Sequence, residues 1–113
     1  VVDCRPKSKT FGEVFTTCLD DKSARNQLYV PPGCANGHCC IVNSIFFYKW
    51  THEYNLKEQF TIDPFDETLN IQWPTEEEIA RCNQLDIEYI ISERDKQGKS
   101  WTQYLEDIKR ETH

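Results

Sequence analysis

The chain has 113 residues, enough for one domain built around a single core. Hydrophobic residues make up 38% and aromatic residues 12%, which is too rich a mixture for a disordered segment. Nineteen acidic residues against thirteen basic ones give a net charge of −6, which repels phosphate backbones and excludes general nucleic-acid binding.

Val1-Val2-Asp3-Cys4 opens the chain inside an apolar run, with no cap, polar lead-in or initiating Met. The expectation is a chain whose first strands are missing from the sequence. Residues 6–12 carry turn residues, and residues 13–19 are β-branched and aromatic, which predicts a strand. Gln27-Leu28-Tyr29-Val30 predicts a short strand stopped by Pro31-Pro32-Gly33. Residues 38–42 and 45–51 predict two more, joined near Asn43-Ser44, and Phe60-Thr61-Ile62 another. Short strands at close spacing imply an antiparallel sandwich or barrel over residues 1–74.

The character changes after Pro74. Thr75-Glu76-Glu77-Glu78 has the capping-box pattern, with Thr75 as N-cap and Glu78 three residues on. The three glutamates suit the positive end of a helix dipole, which accounts for them without a catalytic role. Ser100 and Gln103 repeat the signature, and Trp101, Tyr104, Leu105 and Ile108 follow at helical spacing. Residues 75–113 are therefore expected to form a helical extension packed on the sandwich.

Six cysteines without a secretory signal read as reduced, buried thiols in a cytoplasmic protein. Cys34, His38, Cys39 and Cys40 are clustered but lack a C-x-x-C pair, so no metal site is expected. No apolar stretch approaches the roughly 18–20 residues that span a bilayer, so no membrane partner is expected either.

Five blocks in order resemble the dTDP-4-dehydrorhamnose 3,5-epimerase family. They are Val1-Val2-Asp3-Cys4-Arg5 with Thr10-Phe11-Gly12; Gln27 through Gly33; Phe47-Tyr48-Lys49 with Tyr54; Asp66-x-x-Leu69-x-Ile71-x-Trp73-Pro74; and Ser92-Glu93-Arg94-Asp95. The resemblance covers roughly residues 1–98 and looks like that family's C-terminal part. It implies a mainly β, cupin-like jelly-roll sandwich with a helical C-terminal tail, a homodimer, no cofactor, and a nucleotide-linked 4-keto sugar as substrate. It also implies that Tyr48 is a catalytic acid and that Asp95 orients the catalytic His. A phenol, with an ordinary pKa of about 10, suits a donor to an enolate-like carbon. The plain alternative for Tyr48 is a core aromatic in a row with Phe46 and Trp50, all on one strand face. For Asp95 it is a helix-start carboxylate after Ser92. Tyr54 is a substitute acid or, more simply, a sugar contact.

The sequence departs from the family in three places. The catalytic His belongs to an Arg-Gly-x-His segment, and His38, His52 and His113 all lie in other contexts. Ala35-Asn36-Gly37-His38 stands where the family has Ala-His-Gly-Phe. Residues two apart on a strand share a face, which makes Asn36 and His38 candidate substrate contacts; the alternative is an ordinary strand histidine. The arrangement is similar to that of relatives acting on nucleotide-linked 4-keto heptoses. The third departure is the stretch 75–91, longer than the family's usual link. The expected function is epimerisation at C3, C5 or both by proton abstraction and return. The competing readings are a non-catalytic binding or oligomerisation module and a sugar-nucleotide ketoisomerase.

Overall fold

The computed structural model describes residues 1–22, 24, 26–53, 60–84 and 88–111. Its elements run in the order β1 (Val2–Asp3), β2 (Cys34–Ala35), α1 (Glu76–Asn83), α2 (Glu93–Lys96) and α3 (Trp101–Glu111). β1 and β2 are antiparallel, with Val2 opposite Ala35 and Asp3 opposite Cys34. On the other edge of β1, Val2 bridges Val14, and Phe15 N–H donates to the Val1 carbonyl at 2.8 Å. A parallel bridge joins Ile62 to Lys99.

The turn after β1 is tied by one carboxylate. Asp3 is buried, yet its Oδ1 accepts from Arg5 N (3.0 Å) and Nε (2.9 Å). Its Oδ2 accepts from Arg5 Nη2 (3.0 Å), Ser8 Oγ (2.6 Å) and Thr10 Oγ1 (2.5 Å). These donors, Arg5 foremost, hold the Asp3 carboxyl far below the usual carboxylate range. The turn closes at Gly12, whose φ of +82° is open to glycine at little cost.

Val2, Cys4, Leu69 and Trp101 form the buried cluster, with Phe11, Val14, Ala35, Ile62, Ile71, Tyr104 and Leu105 packed around it. Trp101 lies 5.4 Å from the Phe11 ring and 5.2 Å from that of Tyr104. Its backbone N–H, one of the unpaired donors at the start of α3, goes to Asp66 Oδ2 at 2.9 Å. Asp66 Oδ1 accepts from Leu69 N at 3.1 Å, and these backbone donors, Trp101 first, lower the Asp66 pKa. The Tyr104 hydroxyl donates to the Cys4 carbonyl and joins α3 to the start of the chain.

The helices follow their caps. Thr75 Oγ1 accepts from Glu78 N (3.1 Å) while Glu78 Oε2 accepts from Thr75 N (3.0 Å), completing the predicted capping box. α1 ends at Gln84 in the left-handed region, and its buried face is Ile79. Ser92 caps α2, and Ser100 Oγ accepts from Gln103 N at 3.1 Å at the head of α3.

The predicted strands fare differently. Over 13–19, 27–30, 38–42 and 45–51 the described residues form no ladder beyond the Val14 bridge, so the sheets of a jelly-roll sandwich are not seen among them. The reason is physical: a strand is stable only when its N–H and C=O groups meet a neighbour and one face is covered. Here Ile45 is 97% exposed and Phe47 81%, while Trp50, pointing the other way, is 60% exposed. The radius of gyration is 15.7 Å, against about 13 Å for a compact chain of this length.

Candidate functional site

β2 leads directly into Asn36-Gly37-His38, and both Asn36 and His38 are exposed. The His38 ring lies flat on Phe46, with centroids 4.1 Å apart and planes 10° from parallel. Phe46 meets Tyr48 edge-on at 4.7 Å and 71°, and Tyr48 sits 6.1 Å from Trp50. Period-two alternation puts 46, 48 and 50 on one side of the chain, and His38 joins them from a separate segment. The outcome is a row of four rings, open to solvent, with a phenol in its middle. Such a row offers apolar faces to a sugar ring or a planar base and one hydroxyl able to give a proton.

The other candidates lie elsewhere. Asp95 is half-buried in the first turn of α2, where its backbone N–H donates to Ser92 Oγ at 3.2 Å. Among the described residues, no hydrogen bond or ion pair joins Asp95 to Tyr48 or His38. Tyr54 lies outside the described residues. The structure thus brings His38 and Tyr48 together about Phe46, with Asn36 two residues from His38.

Cysteine chemistry is muted around this row. Burial pushes the Cys39 thiol up, and the neighbouring Cys40 adds to it, which keeps the less nucleophilic protonated form. The six cysteines are free thiols. Among the described residues, no three His, Cys, Asp or Glu side chains gather to hold a metal, and no helix is long and apolar enough to cross a membrane.

Phe46, the spacer between His38 and Tyr48, is visible in the sequence only as one aromatic of a row. The Asp3 knot has no motif of its own, although its donors Arg5, Ser8 and Thr10 lie within seven residues of it.

The sequence profile described as dTDP-4-dehydrorhamnose 3,5-epimerase matches residues 1–103. The dTDP-4-dehydrorhamnose 3,5-epimerase of Mycobacterium tuberculosis is 40% identical over 75 residues, 66% of this chain and 37% of that protein. The Neisseria gonorrhoeae enzyme of the same name is 31% identical over 103 residues, 90% of this chain and 28% of that protein. A dTDP-4-dehydrorhamnose 3-epimerase of Streptomyces niveus is 36% identical over 76 residues, covering 66% and 36%. The chain spans well under half the length of these relatives. No solved structure matches it. With residues 1–103 matched by one profile and these relatives agreeing with it, the chain belongs to the dTDP-4-dehydrorhamnose 3,5-epimerase family.

Proposed function

We propose that this chain carries part of the active site of an enzyme that epimerises a nucleotide-linked 4-keto sugar at C3, C5 or both. The family match over residues 1–103 carries the reading, and the exposed Tyr48 among flat ring faces gives it a chemistry. A ketone at C4 acidifies the protons on C3 and C5. A base removes one, an enolate forms, and an acid returns a proton to the opposite face. Tyr48 is that acid. The base is assigned to the family's Arg-Gly-x-His histidine, outside residues 1–113, on a longer chain or a second polypeptide, with Asp95 holding its tautomer. Asn36, His38 and Tyr54 contact the sugar.

In this reading the remaining strands come with that histidine and complete a cupin-like jelly roll over residues 1–74, with 75–113 packed on it. The assembly is a cytoplasmic homodimer that needs no cofactor.

The test is to supply the chain together with the histidine-bearing segment and a dTDP-linked 4-keto-6-deoxy sugar in deuterium oxide, followed by NMR. Deuterium should enter at C3 or C5 with inversion. Tyr48→Phe should keep deuterium entry, because the base can return the label to the same face, while inversion falls about 100-fold or more. Binding without deuterium entry would establish a non-catalytic module instead, and a ketone moved off C4 would establish a ketoisomerase.

A further inference from the structure

Trp73 and α1 have no part in the chemistry above, yet they grip the His38 segment on both sides. Ahead of His38, the Trp73 indole lies against Gly37. A Cβ at that position would stand 3.3 Å from Trp73 Cη2, tighter than ordinary contact, so a methyl there would press the ring back by a few tenths of an ångström. Trp73 is itself fixed, since its Nε1 donates to the Pro64 carbonyl at 2.7 Å. Beyond His38, Asn83 Nδ2 donates to the Ile41 carbonyl at 2.6 Å. The same amide reaches Ile79 O at 2.8 Å, locking its rotamer against α1. Ile79 is buried and seats the helix, and the Tyr89 hydroxyl closes back onto the Pro74 carbonyl.

Residues 38–41 have no ladder hydrogen bonds among the described residues, so little else restrains their backbone. We infer that Trp73 and α1 form a brace that sets His38 on the aromatic row, with Trp73 and Asn83 as its positioning residues. The inference rests on the row being the sugar-facing surface, but its geometry is independent of that reading. The long link after Trp73-Pro74 thereby acquires a role, since one face of it determines where a candidate specificity residue stands.

The test is NMR of the full chain at one fixed pH, with the His38 signals assigned by loss in His38→Gln. Ring protons stacked on Phe46 are shifted upfield by its ring current. Trp73→Phe and Asn83→Leu should each move them towards unstacked values, while the Trp101 indole and Leu69 amide signals stay in place. Adding Gly37→Ala to Trp73→Phe should restore part of the upfield shift, because the new methyl fills the space the smaller ring leaves. A purely structural loss would not be repaired in this way. Unchanged His38 signals in both single variants, with the core signals intact, would overturn the brace. If Trp73→Phe disturbs the core, Asn83→Ser decides alone, and an unmoved His38 signal there overturns it equally. The readout needs no substrate. An unmoved signal in an active enzyme removes the brace, whereas a moved signal in an inert one removes only the epimerase reading.

Discussion

The cluster around Trp101 and the row from His38 to Trp50 are made of similar residues and end in opposite states. In the cluster, apolar side chains are covered and buried polar groups are answered: Asp3 takes six hydrogen bonds, a weak one from Cys34 Sγ among them, and Asp66 caps α3 while tying Leu69. Among the described residues, no buried side-chain nitrogen or oxygen lacks a partner. In the row, rings stack on one another and remain open to solvent. Aromatic content therefore does not make a core by itself. Closure does, and the cluster closes because a tight turn and a capped helix satisfy their own backbones before they meet. The row lies on segments that form no ladder among the described residues.

Breaking the cluster should have the largest effect. Trp101→Ala should cost about 3–5 kcal/mol in urea unfolding, the usual range for emptying a buried tryptophan site. The Phe46-shifted His38 signals, carried on chain without ladder bonds, should fade at lower urea than the cluster; their simultaneous loss would show one cooperative unit rather than two regions. Asp66→Ala strands the Trp101 and Leu69 amides and should cost less, about 2 kcal/mol by the same measurement.

Acid acts more gradually and on the same side of the comparison. The folded-state pKa values of Asp3 and Asp66 lie below the ordinary 3.8, so their contribution is complete above that value and is lost as pH falls beneath it. Burial pushes the Tyr104 phenol above its ordinary 10.0, so its contribution holds below that value and is lost as pH rises beyond it. Tryptophan fluorescence against pH should show stability falling as pH drops below the first value and as it rises above the second. A stability unchanged through the acid range would contradict the Asp3 and Asp66 assignments. The smallest effect sharpens the row: Ile45→Thr and Phe47→Ser should each change stability by no more than about 0.5 kcal/mol, as exposed positions do. A loss of several kcal/mol would mean that a second surface covers them in solution.

The parts of this molecule that were legible in the sequence are those whose partners are close along the chain. Thr75 with Glu78, Ser92 with Asp95 and Ser100 with Gln103 are caps, and each cap finds its partner within three residues. The stripe of Trp101, Tyr104 and Leu105 then needed only something apolar to rest on. Strand alternation gave the shared side of Phe46, Tyr48 and Trp50 correctly, because facing depends on parity alone. It could not give pairing, which depends on another strand being present, nor the arrival of His38 from a different segment. Asp95 does sit at a helix start, as one of its two readings had it, and its tie to a histidine belongs to the proposed mechanism.

The bond between the Tyr104 hydroxyl and the Cys4 carbonyl spans 100 positions of sequence. A bond between β1 and α3 is a contact of long sequence separation, and such contacts form late because the intervening chain must first be brought together. During synthesis the apolar side of β1 must therefore wait for α3, although its backbone can already pair with Val14 and β2. In that interval the nascent chain is most exposed to chaperones and to aggregation.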